Sequence, residues 1–316
     1  MAVYTQVSAE ALASFLKRYD IGELVSAKGI AEGVENTNYL VETTAGRFIL
    51  TLYEKRVAAS DLPFFMALLD HLAERGLPVP PAIKDRDGVE IHELEGRPAC
   101  LIKFLPGVSL SHPTPGQARA AGAAMGEMHR AVADFSPTRA NTMGVNTWRP
   151  LFERCGRELD RIDPQLHDNL VAALDGVLPF WNLGGERCVI HGDLFPDNVL
   201  MLGDQVTGLI DFYFAGNDLR LFDLAIMHTS WSFDSTGHDS AIGAALLGGY
   251  GGALCLTTDD REQLFVLCMG ACIRFALSRA WDWLNTPPDA LVMRKDPLAY
   301  MRRLAFYRAQ GPGLFA

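Results

Sequence analysis

The chain has no C-x-x-C pair, no G-x-S-x-G elbow, no long uninterrupted apolar run and no surplus of basic residues. Each absence removes a class of function. Its six cysteines (Cys100, Cys155, Cys188, Cys255, Cys268, Cys272) are irregularly placed, and Cys268 and Cys272 fall four apart on an expected helix, a spacing that suits packing better than zinc. Scattered thiols fit a reducing cytoplasm. No run approaches the roughly 18 apolar residues of a spanning helix, so no membrane partner is expected. The opening MAVYTQVSAEALASFLKRYD lacks a basic n-region and a long apolar core, which argues against a signal peptide or anchor. With 28 Lys and Arg against 38 Asp and Glu, the formal charge of −10 argues against a general nucleic-acid binder, which needs a cationic face to displace counterions. Without a nucleophile elbow, a hydrolase built on Asp193 and His191 is a poor reading. There is no internal repeat and no low-complexity linker.

What is present describes a globular protein, with 49% hydrophobic and 21% charged residues. At 316 residues it exceeds one ordinary core, so two lobes are expected. The informative stretch is Ile190 to Asp211, IHGDLFPDNVLMLGDQVTGLID. Asp193, Asn198 and Asp211 occur in order, and the last two are separated by two short apolar strands joined by a turn at Gly203-Asp204. Pairing those strands returns Asp211 to the loop that carries Asp193 and Asn198. A carboxylate, an amide oxygen and a second carboxylate would then converge. Phosphoryl transfer needs that set: one carboxylate to orient and deprotonate the attacking hydroxyl, and hard oxygens to hold Mg²⁺ on the triphosphate.

The protein-kinase catalytic loop reads H-R-D-x-x-x-x-N with a metal-binding Asp downstream. Here His191-Gly-Asp193-x-x-x-x-Asn198 keeps the spacing, with Gly192 in place of Arg and Asp211-Phe212-Tyr213 in place of D-F-G. This form, followed by I-D-F and by Asp223-Leu-Ala, resembles the aminoglycoside phosphotransferase and choline kinase superfamily. The resemblance implies a two-lobed protein-kinase-like α+β fold. A small antiparallel β-sheet lobe with one packed helix would occupy residues 1–103, and a larger, mostly helical lobe 104–316. It further implies ATP and Mg²⁺ as cofactors, Asp193 as the catalytic base, Asn198 and Asp211 as metal ligands, and His191 and Asp223 as supports of the catalytic loop. Gly33, Asn36, Thr37 and Asn38 resemble the loop that covers the phosphates through backbone N–H groups. Ile102-Lys103-Phe104-Leu-Pro-Gly107 resembles the hinge that binds adenine, which makes Lys103 and Phe104 nucleotide contacts. One departure stands out: Thr51 and Phe65 occupy the positions aligned with the family's ATP-site ion pair. Replacing both together avoids an unpaired charge and leaves Lys28, Lys55 and Arg56 as candidate phosphate cations.

Helical periodicity predicts Ala9 to about Arg18 behind a Ser8 cap, Asp61 to Arg75 behind Ser60, and Gly116 to Ala133 behind a Thr114-Pro115-x-Gln117 capping box. A further helix, opened by Asp259 and Glu262, is predicted to continue from Phe265 to Trp283. Strands are predicted at Val89 to Leu94 and Ala99 to Leu105. His129 is expected in the core.

The text Glu35-Asn-Thr-Asn-Tyr-Leu-Val-Glu-Thr, Phe48-Ile-Leu-Thr-Leu-Tyr-Glu-Lys, Gly76-Leu-Pro-Val-Pro, the catalytic segment and Arg274-Phe-Ala-Leu-Ser-Arg279 resembles the bacterial homoserine kinases of this superfamily along nearly the whole chain. That implies small-molecule partners, homoserine and ATP, and phosphorylation of an amino-acid hydroxyl on the way to threonine. A zwitterion calls for an Arg against its carboxylate, for which Arg220, Arg274 and Arg279 are candidates, and for an acid against its ammonium, such as Asp218, Asp234 or Asp282. Choline or ethanolamine as acceptor would instead use an aromatic cage drawn from Trp231, Phe233, Trp281 and Trp283. An aminoglycoside would want a broad acidic cleft, and a pseudokinase would bind nucleotide without turnover. Oligomeric state is left open.

Overall fold

The computed structural model describes residues 5–30, 36–54, 57–286 and 294–315. The chain divides into two compact units, Met1–Pro106 and Gly107–Ala316.

In the first unit, α1 (Ala9–Leu16) opens on Ser8, whose Oγ accepts the Ala11 N–H at 3.1 Å. Strands β1 (Leu24–Ile30), β2 (Thr37–Thr43) and β3 (Gly46–Leu52) follow, then α2 (Leu62–Glu74), β4 (Ile91–Leu94) and β5 (Arg97–Lys103). The five strands pair antiparallel in the order β1-β2-β3-β5-β4. Alternation along β2 and β3 places Val41, Leu50 and Leu52 against Leu12, Phe15 and Leu16 of α1. Burying each such side chain stabilises the unit by about 1.5–3 kcal/mol. On α2, Phe65, Leu68, Leu69 and Leu72 are buried at helical spacing.

Among the described residues the unit holds both expected helices, α1 packed on the sheet and α2 buried. It differs from expectation in two places. A 3₁₀ turn over Ala59–Asp61 precedes α2, so Ser60 is not its cap, and Asp61 holds that place without a capping bond to the first turn. Strand β4 begins two residues later than expected and β5 begins and ends two residues earlier, on either side of a turn in which Glu95 and Gly96 adopt φ values of 52° and 70°.

The second unit contains β6 (Val108–Ser109), α3 (Pro115–Ala131), α4 (Val145–Cys155), α5 (Leu166–Val177), β7 (Arg187–Ile190), β8 (Val199–Leu202) and β9 (Gln205–Leu209). It continues through β10 (Gly216–Leu219), α6 (Arg220–Trp231), α7 (Ser240–Ala253), α8 (Thr258–Asn285) and α9 (Leu298–Gln310). Both bonds of the Thr114/Gln117 capping box open α3. Close approach of α3 and α7 depends on glycine: a Cβ on Gly249 would lie 1.9 Å from the Arg119 carbonyl oxygen.

The apolar composition of α8 makes it long and hydrophobic enough to cross a membrane, which inspection for unbroken apolar runs misses. It is instead the central helix of this unit, with Leu264, Leu267, Cys268, Ala271, Cys272 and Ile273 buried. Trp181 lies against it at Gly270, where a Cβ would stand 2.1 Å from the indole ring. Its capping box is Thr257 with Asp260, one turn position away from the Asp259/Glu262 start expected.

Candidate active site

Strand β7 delivers a tight loop in which Gly192 adopts φ +77°, a conformation costly for a residue with a Cβ. Space requires glycine there too, since a Cβ would sit 3.0 Å from the Phe214 carbonyl oxygen. The fully buried His191 clamps this loop from both ring nitrogens. Its Nε2–H donates to the Ile210 carbonyl oxygen at 2.9 Å, and its Nδ1 accepts the Asp193 N–H at 3.2 Å. A carbonyl can only accept and an N–H can only donate, so these partners fix the tautomer. Burial lowers the His191 pKa and keeps the ring neutral.

The next turn, Pro196–Asn198, returns the chain into β8. Asn198 is buried, and its Nδ2 donates to the Asp193 carbonyl oxygen at 2.8 Å, which turns Oδ1 away from that carbonyl. The β8–β9 hairpin pairs Val199 with Leu209, and the Ile210 N–H donates to the Asn198 carbonyl oxygen at 3.0 Å. Asp211 is thereby brought beside Asn198, as the hairpin reading required. It adopts φ +66°, the left-handed conformation that short polar side chains tolerate best.

Asp223, in the first turn of α6, stands behind the loop with no solvent exposure. Its carboxylate accepts the His191 N–H at 2.7 Å, the Gly192 N–H at 2.8 Å and His129 Nε2 at 3.1 Å. Burial opposes its ionisation, but the His129 bond, the nearby imidazoles and the backbone donors together hold its pKa below the usual carboxylate range. His129 completes the chain by bonding the Tyr250 hydroxyl through Nδ1 at 3.0 Å.

The Asp193 carboxylate keeps 21% of its side-chain surface open. Burial raises its pKa, against the attraction of Arg274 and Lys295. Arg274, projecting from the middle of α8, donates to the Gly192 carbonyl oxygen and places Nη2 4.0 Å from Asp193 Oδ1. Its guanidinium lies 4.3 Å from the Phe275 ring centroid. Arg279 lies over the Tyr300 ring at 4.6 Å and donates to the Asp296 carbonyl oxygen at 3.2 Å. Arg220 is engaged elsewhere: its Nη1 donates to the Tyr250 hydroxyl at 2.6 Å and its Nε pairs with Glu186 at 3.1 Å.

Residues 26–264 match the model of the phosphotransferase enzyme family. The chain belongs to that family. Over 311 residues it is 51% identical to a homoserine kinase of Zymomonas mobilis, covering 98% of this chain and 97% of the relative. Among solved structures it resembles a spectinomycin phosphotransferase solved with ADP and spectinomycin (TM-score 0.74, 13% identity, 97% of this chain and 100% of the other). It also resembles an amicoumacin kinase solved with AMP-PNP, Ca²⁺ and Ami (TM-score 0.72, 14% identity, 96% and 93%). At that identity the structural likeness concerns the kinase-like fold alone.

In this phosphotransferase, Gly33, Lys55 and Arg56 lie outside the described residues. Near Gly33, side chains make internal bonds: Asn36 Oδ1 accepts the Glu54 N–H at 3.3 Å and Thr37 Oγ1 donates to Glu54 Oε1 at 2.9 Å. Thr51, where a cation was looked for, is 1% exposed and donates to Asn38 Oδ1 at 2.8 Å across the β2–β3 pair. Phe65 is fully buried in apolar company, so neither position leaves a lone charge. The Lys103 N–H donates to the Pro81 carbonyl oxygen at 3.1 Å, and the Phe104 ring is covered by Arg47 at 5.9 Å. Sequence reasoning missed Lys295 and Tyr300. Nothing marks them in the text, because they lie about a hundred residues from the catalytic loop and reach it only by folding of α9 against α8.

Proposed function

We propose that this phosphotransferase transfers the γ-phosphoryl group of ATP to the side-chain hydroxyl of L-homoserine, giving O-phospho-L-homoserine and ADP. The observation that carries the reading is the 51% identity to a homoserine kinase along almost the full chain, together with the Asp193, Asn198 and Asp211 arrangement. The acceptor hydroxyl donates to Asp193, and its oxygen attacks the γ-phosphorus in line. The bond from that phosphorus to the β,γ-bridging oxygen breaks, ADP leaves, and the hydroxyl proton passes to Asp193. The raised basicity of a half-buried carboxylate suits that task.

Asn198 and Asp211 offer one amide and one carboxylate oxygen, the hard donor set that Mg²⁺ uses when substrate phosphates and waters complete its shell. When bound, Mg²⁺ neutralises charge on the transferring phosphates. His191 and Asp223 hold the loop that presents Asp193, and Gly192, with its left-handed backbone, allows the bend. Gly33, Asn36, Thr37 and Asn38 supply the phosphate loop, and Lys103 and Phe104 supply the hinge for adenine, on the family pattern. Arg274 and Arg279 provide positive potential for the acceptor's carboxylate. Arg220, already spanned by Glu186, Tyr250 and Asp260, serves the scaffold. The protein's six free cysteines fit the reducing cytoplasm as its compartment.

ADP release from Mg·ATP in the presence of homoserine, choline, ethanolamine, methylthioribose or kanamycin tests the proposal. Selective turnover of homoserine is expected. Selective turnover of another acceptor refutes the substrate while keeping the catalytic residues, and no turnover with any of them refutes homoserine as the acceptor and favours a nucleotide-binding pseudokinase or an acceptor outside the panel.

A further inference from the structure

Three aromatic rings form a wall beside Asp193. Phe195, two residues on, packs its ring 4.9 Å from Phe275, which stacks at 5.0 Å on Tyr300. Four cations border that wall: Arg274, Arg279, Arg303 and Lys295. The three arginines are already committed to backbone carbonyl oxygens, Arg274 to Gly192, Arg279 to Asp296 and Arg303 to Thr229. Lys295 differs. It is exposed, its Nζ lies 5.8 Å from the Phe195 ring centroid, and among the described residues it has no carboxylate or carbonyl partner. It also attracts the Asp193 carboxylate from a different side of the chain than Arg274, since it enters from the segment before α9.

We infer that Lys295 receives the carboxylate of the amino-acid acceptor and so selects a zwitterion over a neutral or cationic alcohol. Homoserine carries its carboxylate a few bonds from its hydroxyl, and Lys295, beside the Phe195 ring, is close enough to Asp193 to act on its carboxylate electrostatically. Lysine suits the place: its ammonium is a mobile point charge whose hydration water an incoming carboxylate can replace. The buried Arg274 and the half-buried Arg279 and Arg303 set the surrounding potential, while Lys295 is the group with donors left to give. This assignment rests on homoserine as the acceptor.

The test compares the unmodified enzyme with Lys295→Met and Lys295→Arg on two acceptors, homoserine and its carboxamide, which lacks the carboxylate charge and keeps the ammonium. Each is read as kcat/KM where turned over, or as an inhibition constant where it only competes. Loss of a charge-assisted contact at an exposed site is expected to raise the KM for homoserine about tenfold with kcat little changed. Lys295→Arg is expected to restore most of that loss. The carboxamide should bind Lys295→Met no more weakly than the unmodified enzyme. Equal weakening of both acceptors, or no weakening of homoserine, overturns the assignment while homoserine turnover by the unmodified enzyme stands. Absence of that turnover overturns the substrate reading and this assignment with it.

Discussion

Replacing Asp223 with Asn changes one atom and removes one charge at the point where three elements meet. Oδ2 accepts from both the His191 N–H and His129, while Oδ1 accepts from the Gly192 N–H. An amide can keep the first pair only by turning its NH₂ toward Gly192, which sets a donor against a donor. Losing one charge-assisted bond, worth about 1.5–3 kcal/mol, and leaving a buried N–H unpaired, about 1–3 kcal/mol, gives a destabilisation of about 2.5–6 kcal/mol. That is a large part of a typical domain's stability of roughly 5–15 kcal/mol. Urea unfolding read by tryptophan fluorescence would show it, since Trp148, Trp181 and Phe222 of α6 pack together behind this site. The same substitution is expected to lower kcat more than it raises the KM for ATP, because the displaced Gly192 peptide carries Asp193 with it. A loss under about 1 kcal/mol with unchanged kcat would refute the bracing role.

Asp193→Asn should lower kcat by about 10²–10⁴-fold, the scale of a positioned general base, with ATP binding preserved; near-normal turnover removes Asp193 from the chemistry. Asp211→Asn, chosen because Asn tolerates the left-handed backbone, should shift the Mg²⁺ activation curve to higher concentration, and an unchanged curve would show that the metal is held elsewhere. His228 is buried with Nδ1 2.7 Å from the Tyr307 hydroxyl, and burial, with His238 adding repulsion, lowers its pKa to about 3. Its neutral form is favoured only in the fold, so its stabilisation is intact above the unfolded pKa of about 6.5 and is lost as pH falls, by about 2 kcal/mol between pH 6.5 and 5. His228→Asn should flatten that part of the urea-midpoint profile, and an unaltered slope would assign the acid sensitivity to other groups. Gly249→Ala should cost about 1–3 kcal/mol or more by forcing α7 from α3; a melting temperature equal to the parent's would mean the helices separate freely.

The catalytic segment was legible because its logic is local. The spacing from Asp193 to Asn198, the apolar strands on either side of Gly203 and the return to Asp211 lie within one hairpin, whose pairing follows from alternation alone. Helix α3 was legible for the same reason, since the Thr114/Gln117 box closes within one turn. Other features depended on contacts between distant segments, which no window along the chain records. That Asp223 bonds two peptide N–H groups more than thirty residues earlier, that Arg220 faces Glu186 and Tyr250 rather than Asp193, and that Arg274 reaches Gly192 are consequences of how α6, α7 and α8 pack. Arginine in a sequence shows a charge without a direction. Burial decides the direction, because a guanidinium taken from water must find acceptors, and only the tertiary structure determines which carbonyls are within reach.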